Sequence, residues 1–163
     1  MNIRLAQQTD LEAINSIYNQ AVVARYCTAD LDPISMSERE MWFQSHPADK
    51  YPVYVGVVNG EVLAWFSFSA WRSGRRALAM SSEVSYYIHE SYFRKGYANQ
   101  LMNYAIEKAP ELGFKNLFAI LLAPNAPSIK LLEKFDFEHW GTLLDVAEID
   151  GEVCSQCIYG RKV

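Results

Sequence analysis

Two cations, Arg94 and Lys95, stand directly before a glycine in the run Arg94-Lys95-Gly96-Tyr97-Ala98-Asn99. At the start of a helix that arrangement can hold an anion. The first amide N–H groups of a helix have no partner within it, and the helix dipole puts partial positive charge at the same end. Gly96 lets the backbone approach a ligand closely, and Ala98 leaves the next turn uncrowded. A pyrophosphate suits such a terminus. An ordinary strand-to-helix turn with solvated basic residues has the same sequence, and the stretch alone does not choose between them. A second motif, Cys154-Ser-Gln-Cys157, has the C-x-x-C spacing of redox and zinc pairs. Its flanks, Glu152, Val153, Ile158 and Tyr159, read as a strand. Residues three apart on a strand face opposite ways, so these are read as structural thiols and no metal site is expected.

The elements that must position these residues follow from periodicity. Val84, Tyr86 and Ile88 alternate with Glu83, Ser85 and Tyr87, which predicts a strand over Glu83–Ile88. A turn, His89–Lys95, leads into a helix opened by Gly96, with Ala98, Leu101, Met102, Ala105, Ile106 and Ala109 on one face. Pro110 should kink or end that helix, and Gly113 suits its C-terminal cap. Before this unit, Ile3–Leu5 reads as a first strand and Thr9-Asp10-Leu11-Glu12 as a capping box, Thr9 capping and Glu12 reaching back. Ser35-Met36-Ser37-Glu38 is a second box, opening a short helix with Met41, Trp42 and Phe43 that His46-Pro47 ends. Tyr51–Val58 and Glu61–Ala70 form a hairpin about Asn59-Gly60. After the central helix, Asn116–Leu122 is a strand apolar enough to be buried on both faces. Ser128–Phe135 is a helix, and strands near Glu138–Val146 and Glu152–Tyr159 turn at Asp150-Gly151. The order is β-α-α-β-β-β-α-β-α-β-β, an α/β chain whose mixed sheet carries helices on both faces.

Composition narrows the function. The 163 residues fit a single domain, 1–163, and half of them are hydrophobic. A net charge of −4 argues against nucleic acid as the main partner, although a local basic patch is compatible with it. No apolar run is long enough to span a bilayer and the N-terminus lacks a signal-peptide core, so no membrane association and a cytoplasmic location are expected. Three cysteines, an odd number, fit a reducing compartment better than a disulfide framework.

The segment Phe93-Arg94-Lys95-Gly96-Tyr97-Ala98 resembles the acetyl-CoA-binding motif of the GCN5-related N-acetyltransferases, Arg/Gln-x-x-Gly-x-Gly/Ala, with Phe93 departing from it. Nearly the whole chain is similar to the phosphinothricin and methionine sulfone acetyltransferase branch. The similarity runs through Ile17-Tyr18-Asn19, Trp71-Arg72, Glu83-x-Ser85-x-Tyr87-x-His89, Asn125-Ala126-x-Ser128-Ile129, Glu133-Lys134 and Gly141-Thr142-Leu143. The resemblance implies a mostly antiparallel central sheet flanked by helices. It also implies transfer of acetyl from acetyl-CoA to the α-amine of a small amino acid resembling phosphinothricin, methionine sulfone or methionine sulfoximine. A homodimer is implied too. Other readings are a peptide, protein N-terminal or polyamine acetyltransferase, and a non-catalytic acetyl-CoA sensor or interaction module.

Roles follow from the resemblance. Glu83 is the candidate base for an amine that is largely protonated at neutral pH. An isolated edge carboxylate would be the plainer reading of Glu83. A backbone N–H of Tyr86, Tyr87 or Ile88 would stabilise the carbonyl oxygen, and these residues would also hold the pantetheine arm. The side chains of Tyr86 and Ile88 are expected in the core. Arg94, Lys95, Gly96, Tyr97, Ala98 and Asn99 would take the pyrophosphate. Asn125 would contact the arm while capping the helix of Ser128, and Lys134 would reach a phosphate. Trp71, Arg72, Val84 and Ser85 would bind the amino acid, Arg72 by a two-pronged grip on its carboxylate. Tyr18 and Asn19 would line the far side, and Arg75-Arg76 is a solvated cluster. Leu132 stands where the family has a Tyr or His general acid, and Asp136 replaces a usual Gly.

Overall fold

The computed structural model describes all residues from Met1 to Val163. Its elements are β1 (Asn2–Leu5), α1 (Leu11–Val23), α2 (Met36–Gln44), β2 (Val53–Val58), β3 (Glu61–Ala70), β4 (Ser81–Ile88), α3 (Tyr97–Glu111), β5 (Asn116–Leu122), α4 (Ala126–Lys134), β6 (Glu138–Ile149) and β7 (Glu152–Lys162). That is the expected order. One seven-stranded sheet runs β1-β2-β3-β4-β5-β7-β6, and only β4 and β5 pair in parallel. The two hairpin turns have positive φ at both central residues, 52° and 88° at Asn59-Gly60 and 52° and 85° at Asp150-Gly151, which matches the twist of the strands they join.

The sheet is covered on both faces. Phe66, Phe68, Val84, Leu117 and Leu132 pack with Leu101, Met102 and Ala105 of α3. On the other face Val55 and Trp65 pack with Leu11, Ile14 and Ile17 of α1. β5 is buried along most of its length, as its apolar run requires.

Local chemistry shifts several boundaries. The box at Thr9 does not form. Asp10 accepts instead from the Gln7 N–H at 2.8 Å and from the Arg4 guanidinium at 2.7 and 2.8 Å. This makes a 3-10 turn of Gln8–Asp10 and starts α1 at Leu11 without a side-chain cap. The Ser35 box does form: Ser35 Oγ accepts from the Glu38 N–H at 3.3 Å, and Glu38 accepts from the Ser35 N–H at 2.8 Å. β2 begins at Val53 rather than Tyr51, because Pro52 has no N–H for the ladder. Pro110 does not end α3, which runs to Glu111. At the second-last helical position its missing N–H costs one bond. The carbonyls there are satisfied by Gly113 N–H to Pro110 at 2.9 Å and Phe114 N–H to Ala109 at 3.0 Å, with Gly113 at φ 80°. α4 begins two residues before Ser128, where Asn125 Oδ1 accepts the Ser128 N–H at 3.3 Å.

Asp10 is buried, and the Arg4 guanidinium bonded to it holds its carboxyl below the ordinary value. A depressed carboxyl contributes stability that is complete above its unfolded pKa of about 3.9 and is lost as pH falls through the lower folded value. Asp10→Asn should therefore cost about 1–3 kcal/mol at neutral pH, toward the lower end because Arg4 faces solvent on one side. Urea denaturation across a pH series checks this: the difference from wild type should shrink as pH falls below about 4.

Candidate active site

β4 leaves β5 almost at once. The two strands pair only through Ser81↔Asn116, Ser82↔Leu117 and Glu83↔Phe118, whereas β4 stays on β3 as far as Ile88 and β5 stays on β7 as far as Leu122. The direction of the freed groups follows from alternation. Asn116 N–H bonds to Met80 across the β4–β5 side, and His89 N–H bonds to Leu63 across the β3 side. Even-numbered residues of β4 therefore present N–H and C=O toward β5, and odd-numbered ones toward β3. Beyond the last pair, Glu83↔Phe118, whose parallel ladder takes up the Val84 N–H, the amides of Tyr86 and Ile88 face a gap instead of a strand. The Tyr87 amide belongs to the row facing β3, so of the three expected backbone donors only Tyr86 and Ile88 face the cleft.

A cavity of about 40 Å³ occupies the gap, lined among others by Ser85, Tyr86, Tyr87, Asn125, Ser128 and Leu132. A larger concavity of about 360 Å³, lined by Asp136, Glu138, Trp140, Arg161 and Lys162, lies off β6 and β7 and contains none of the expected site residues. The candidate site residues gather at the strand divergence, not at the larger hollow.

At the far end of β4 the chain makes a 3-10 turn, Glu90–Tyr92, and enters α3 through Gly96 at φ 82°. The first paired amide is Gln100 N–H, to the Gly96 carbonyl at 3.3 Å, so the amides of Tyr97, Ala98 and Asn99 are free. Nothing lies within 4 Å of where a Gly96 side chain would start, so this cradle is open. Lys134 Nζ donates to Asn99 Oδ1 at 2.5 Å, bringing the end of α4 to the start of α3.

Residues 11–137 match the model of the acetyltransferase (GNAT) family. The chain belongs to that family. A Bacillus subtilis protein, YwnH, named as a proposed phosphinothricin acetyltransferase, is 40% identical over 100% of this chain and 99% of its own. The L-methionine sulfoximine/L-methionine sulfone acetyltransferase of Salmonella typhimurium is 31% identical over 84% of this chain and 80% of its own. The fold superposes with a TM-score of 0.93 on a Sinorhizobium meliloti phosphinothricin acetyltransferase solved in complex with acetyl-CoA, 25% identical over 99% of this chain and 88% of that one. The protein is thus a GNAT-type N-acetyltransferase.

In this acetyltransferase Glu83 sits at the point of divergence. It is partly buried, and burial lifts its pKa above the ordinary carboxylate value with no partner offsetting the rise. Beside it, Trp71 packs edge-on to Phe118, its register neighbour on β5, with ring centroids 4.6 Å apart. Arg72 lies exposed in the following loop at φ 54° and is engaged in none of the ion pairs. Tyr87 is wedged between Trp65 and Tyr18, centroids 4.7 and 4.9 Å away. Tyr18 and Asn19 are tied to the loop that follows α1. The Tyr18 hydroxyl bonds to Thr28 at 2.8 Å and to Asp30, and Asn19 bonds the Ile34 backbone at 2.9 and 3.0 Å, so both pin the loop between α1 and α2.

Two residues on this face escaped the sequence reading. Arg39 is 2% exposed, with its guanidinium 4.6 Å from the rings of both Tyr18 and Trp42 and its Nε donating to Asn15 Oδ1 at 3.2 Å. Its position between Glu38 and Glu40 gave it the look of a solvated helix charge. His46 donates Nδ1–H to the Trp42 carbonyl at 2.7 Å, which leaves Nε2 to accept from Ser69, 3.2 Å away and directly opposite Glu83 on β3. Burial lowers the His46 pKa, so it is neutral at physiological pH. Only the tertiary fold brings either residue to the site.

A carboxyl with a raised folded pKa contributes stability below its unfolded pKa that is lost as pH rises through the folded value. Glu83→Gln should therefore melt above wild type at neutral pH, the gain shrinking in acid where the wild-type carboxyl is itself neutral. Scanning calorimetry at several pH values checks it. A lower melting temperature would show that a partner holds the Glu83 charge.

Proposed function

We propose that the protein is a cytoplasmic enzyme that acetylates the α-amine of a small amino acid of the methionine sulfone, methionine sulfoximine or phosphinothricin type, with acetyl-CoA as donor. The observation that carries this reading is a partly buried, unpartnered carboxylate, Glu83, at the mouth of a gap lined by free backbone amides. Amino-acid acetylation by a named relative supports the acceptor class.

The residues fit the donor. The free amides from Tyr97 to Asn99, with Arg94 and Lys95 beside them, would take its pyrophosphate. The cleft-facing amides and carbonyls of β4 would hold its amide-bearing arm as a strand holds a neighbour. Asn125 and Ser128 lie on the opposite wall. Bound there, the donor supplies an activated acetyl thioester.

The chain then has three tasks. Glu83 accepts a proton from the ammonium, directly or through water, leaving the nitrogen lone pair free to attack. A cleft-facing N–H, from Tyr86 or Ile88, stabilises the carbonyl oxygen as charge builds on it. Arg72 binds the carboxylate of the amino acid, Trp71 walls the pocket, and Ser85 with the backbone at Val84 completes the placement. The proposed assembly is a homodimer; Leu143, Leu144 and Val146 of β6 and Val153 of β7 are exposed apolar residues.

Donor binding is tested by calorimetry with CoA. Wild type should bind saturably, and Gly96→Glu should abolish binding through bulk and charge repulsion while the circular dichroism spectrum persists. Unchanged affinity in that variant would remove the cradle from the mechanism.

The acceptor is tested by thiol release with a panel of free amino acids, their sulfone, sulfoximine and phosphinate analogues, polyamines and peptides. Against the best acceptor, Glu83→Gln should lower kcat by ~10²–10⁴-fold with CoA affinity retained. Arg72→Ala should chiefly raise the KM of the amino acid. Activity confined to peptides would overturn the acceptor assignment, and silence with every amine would favour a sensor.

A further inference from the structure

One buried group in the cleft has no task in the steps above. The Tyr86 hydroxyl is buried and makes no hydrogen bond. A buried, unbonded hydroxyl destabilises a fold, and phenylalanine would fill the same space without that cost. The Tyr86 ring packs against the core on the α3 and α4 side, while the residue lines the gap between β4 and β5 together with Ser128 and Leu132 of α4. Ser128 perturbs the hydroxyl but does not reach hydrogen-bond geometry with it.

The proposed reaction has an unfilled need. When the carbon–sulfur bond breaks, the sulfur leaves with the electron pair and requires a proton. Leu132 faces the same gap and has none to give. Glu83 already holds the proton of the amine, and it projects from the opposite face of β4, because residues three apart on a strand point opposite ways.

We propose that the Tyr86 hydroxyl is the proton donor to the departing sulfur. The proposal rests on the acetyl-CoA reading given above. The ammonium loses one proton to Glu83, and its nitrogen forms the new bond to the acetyl carbon. The bond from that carbon to sulfur breaks, and sulfur takes the proton of Tyr86. The nitrogen, now part of the amide, sheds its second proton, which returns to the Tyr86 oxygen through the hydroxyl of Ser128, which lines the same gap. Glu83 releases its proton to solvent, so one proton is liberated per amide and per free thiol.

The surroundings suit a donor. Burial pushes the Tyr86 phenol up to about 12, so it carries its proton at neutral pH. Of the groups facing it, Cys27 from the loop after α1 is titratable, and burial holds that thiol in its neutral form. Ser128, Asn125 and Leu132 on α4 and Ala119, Ile120 and Leu121 on β5 bear no charge.

Tyr86→Phe tests the assignment, since it keeps the ring and removes only the hydroxyl. Two readouts are needed. The first does not depend on turnover: the thiol of bound CoA is titrated by its thiolate absorbance, with the Cys27→Ser background removing the neighbouring thiol. A donor at Tyr86 stabilises the thiolate, so the bound thiol should ionise at lower pH when Tyr86 is present than in the Tyr86→Phe variant. The second is kcat with the best acceptor, expected to fall by about 10²-fold in Tyr86→Phe while CoA affinity and the KM of the acceptor hold and the melting temperature stays equal or rises. Identical thiol titrations together with unchanged kcat would overturn the proposal. If wild type binds CoA but acetylates nothing, the function proposed above fails, and the thiol titration still decides whether Tyr86 serves the sulfur.

Discussion

The structure turns on the early parting of β4 and β5. A buried backbone N–H or C=O left unpaired carries a cost comparable to a lost hydrogen bond, so sheets seldom leave such rows open. Here both strands are fully engaged on their outer sides, β4 by β3 and β5 by β7, and share only three register pairs with each other. The inner row of β4 is therefore held in strand geometry with nothing to bond. An extended, amide-bearing ligand can complete that row, and no side-chain pocket is required to recognise it. The same divergence places α3 with its free amides at one end of the gap and Glu83 at the other.

What keeps the gap open is packing on both sides of it. On one face Phe66, Phe68 and Val84 are locked to α3 and Leu132. On the other, Tyr87 is clamped between Tyr18 and Trp65, and Arg39 is stacked on the rings of Tyr18 and Trp42. Burying a guanidinium without a carboxylate is costly, and one amino group of Arg39 has no bonding partner. Contact with several aromatic faces offsets part of that cost, by ~2 kcal/mol or more where water is excluded. The result joins α1, α2 and the sheet into one wall, and that wall fixes Tyr87 and the β4 backbone beside it.

Several unsatisfied groups thus gather around one strand. Glu83 and Tyr86 emerge from opposite faces of β4, and the Tyr86 amide emerges at its edge toward the gap. The proposed acid, base and oxyanion donor all fall within four consecutive residues because a strand sends side chains up and down and backbone groups sideways. A helix, whose amides are consumed along its own axis, offers no comparable arrangement.

The sequence by itself determined the element order, both hairpin turns, the Ser35 cap, the burial of β5 and the pairing of a carboxylate strand with a glycine-led helix. Those features are local: they rest on periodicity, on Asn-Gly and Asp-Gly turns, and on side chains bonding amides a few residues away. Where a local signal failed, a competing contact had won, as when Asp10 took Arg4 and Gln7 in place of a helix cap. The tertiary structure alone decided which amides of β4 are free, because that depends on where β5, beyond the whole of α3 in the chain, ceases to follow. It also decided that Arg39 is buried and that His46 and Ser69 stand beside Glu83. Nothing in a single sequence encodes those positions, since each arises from segments meeting across the sheet rather than along the chain.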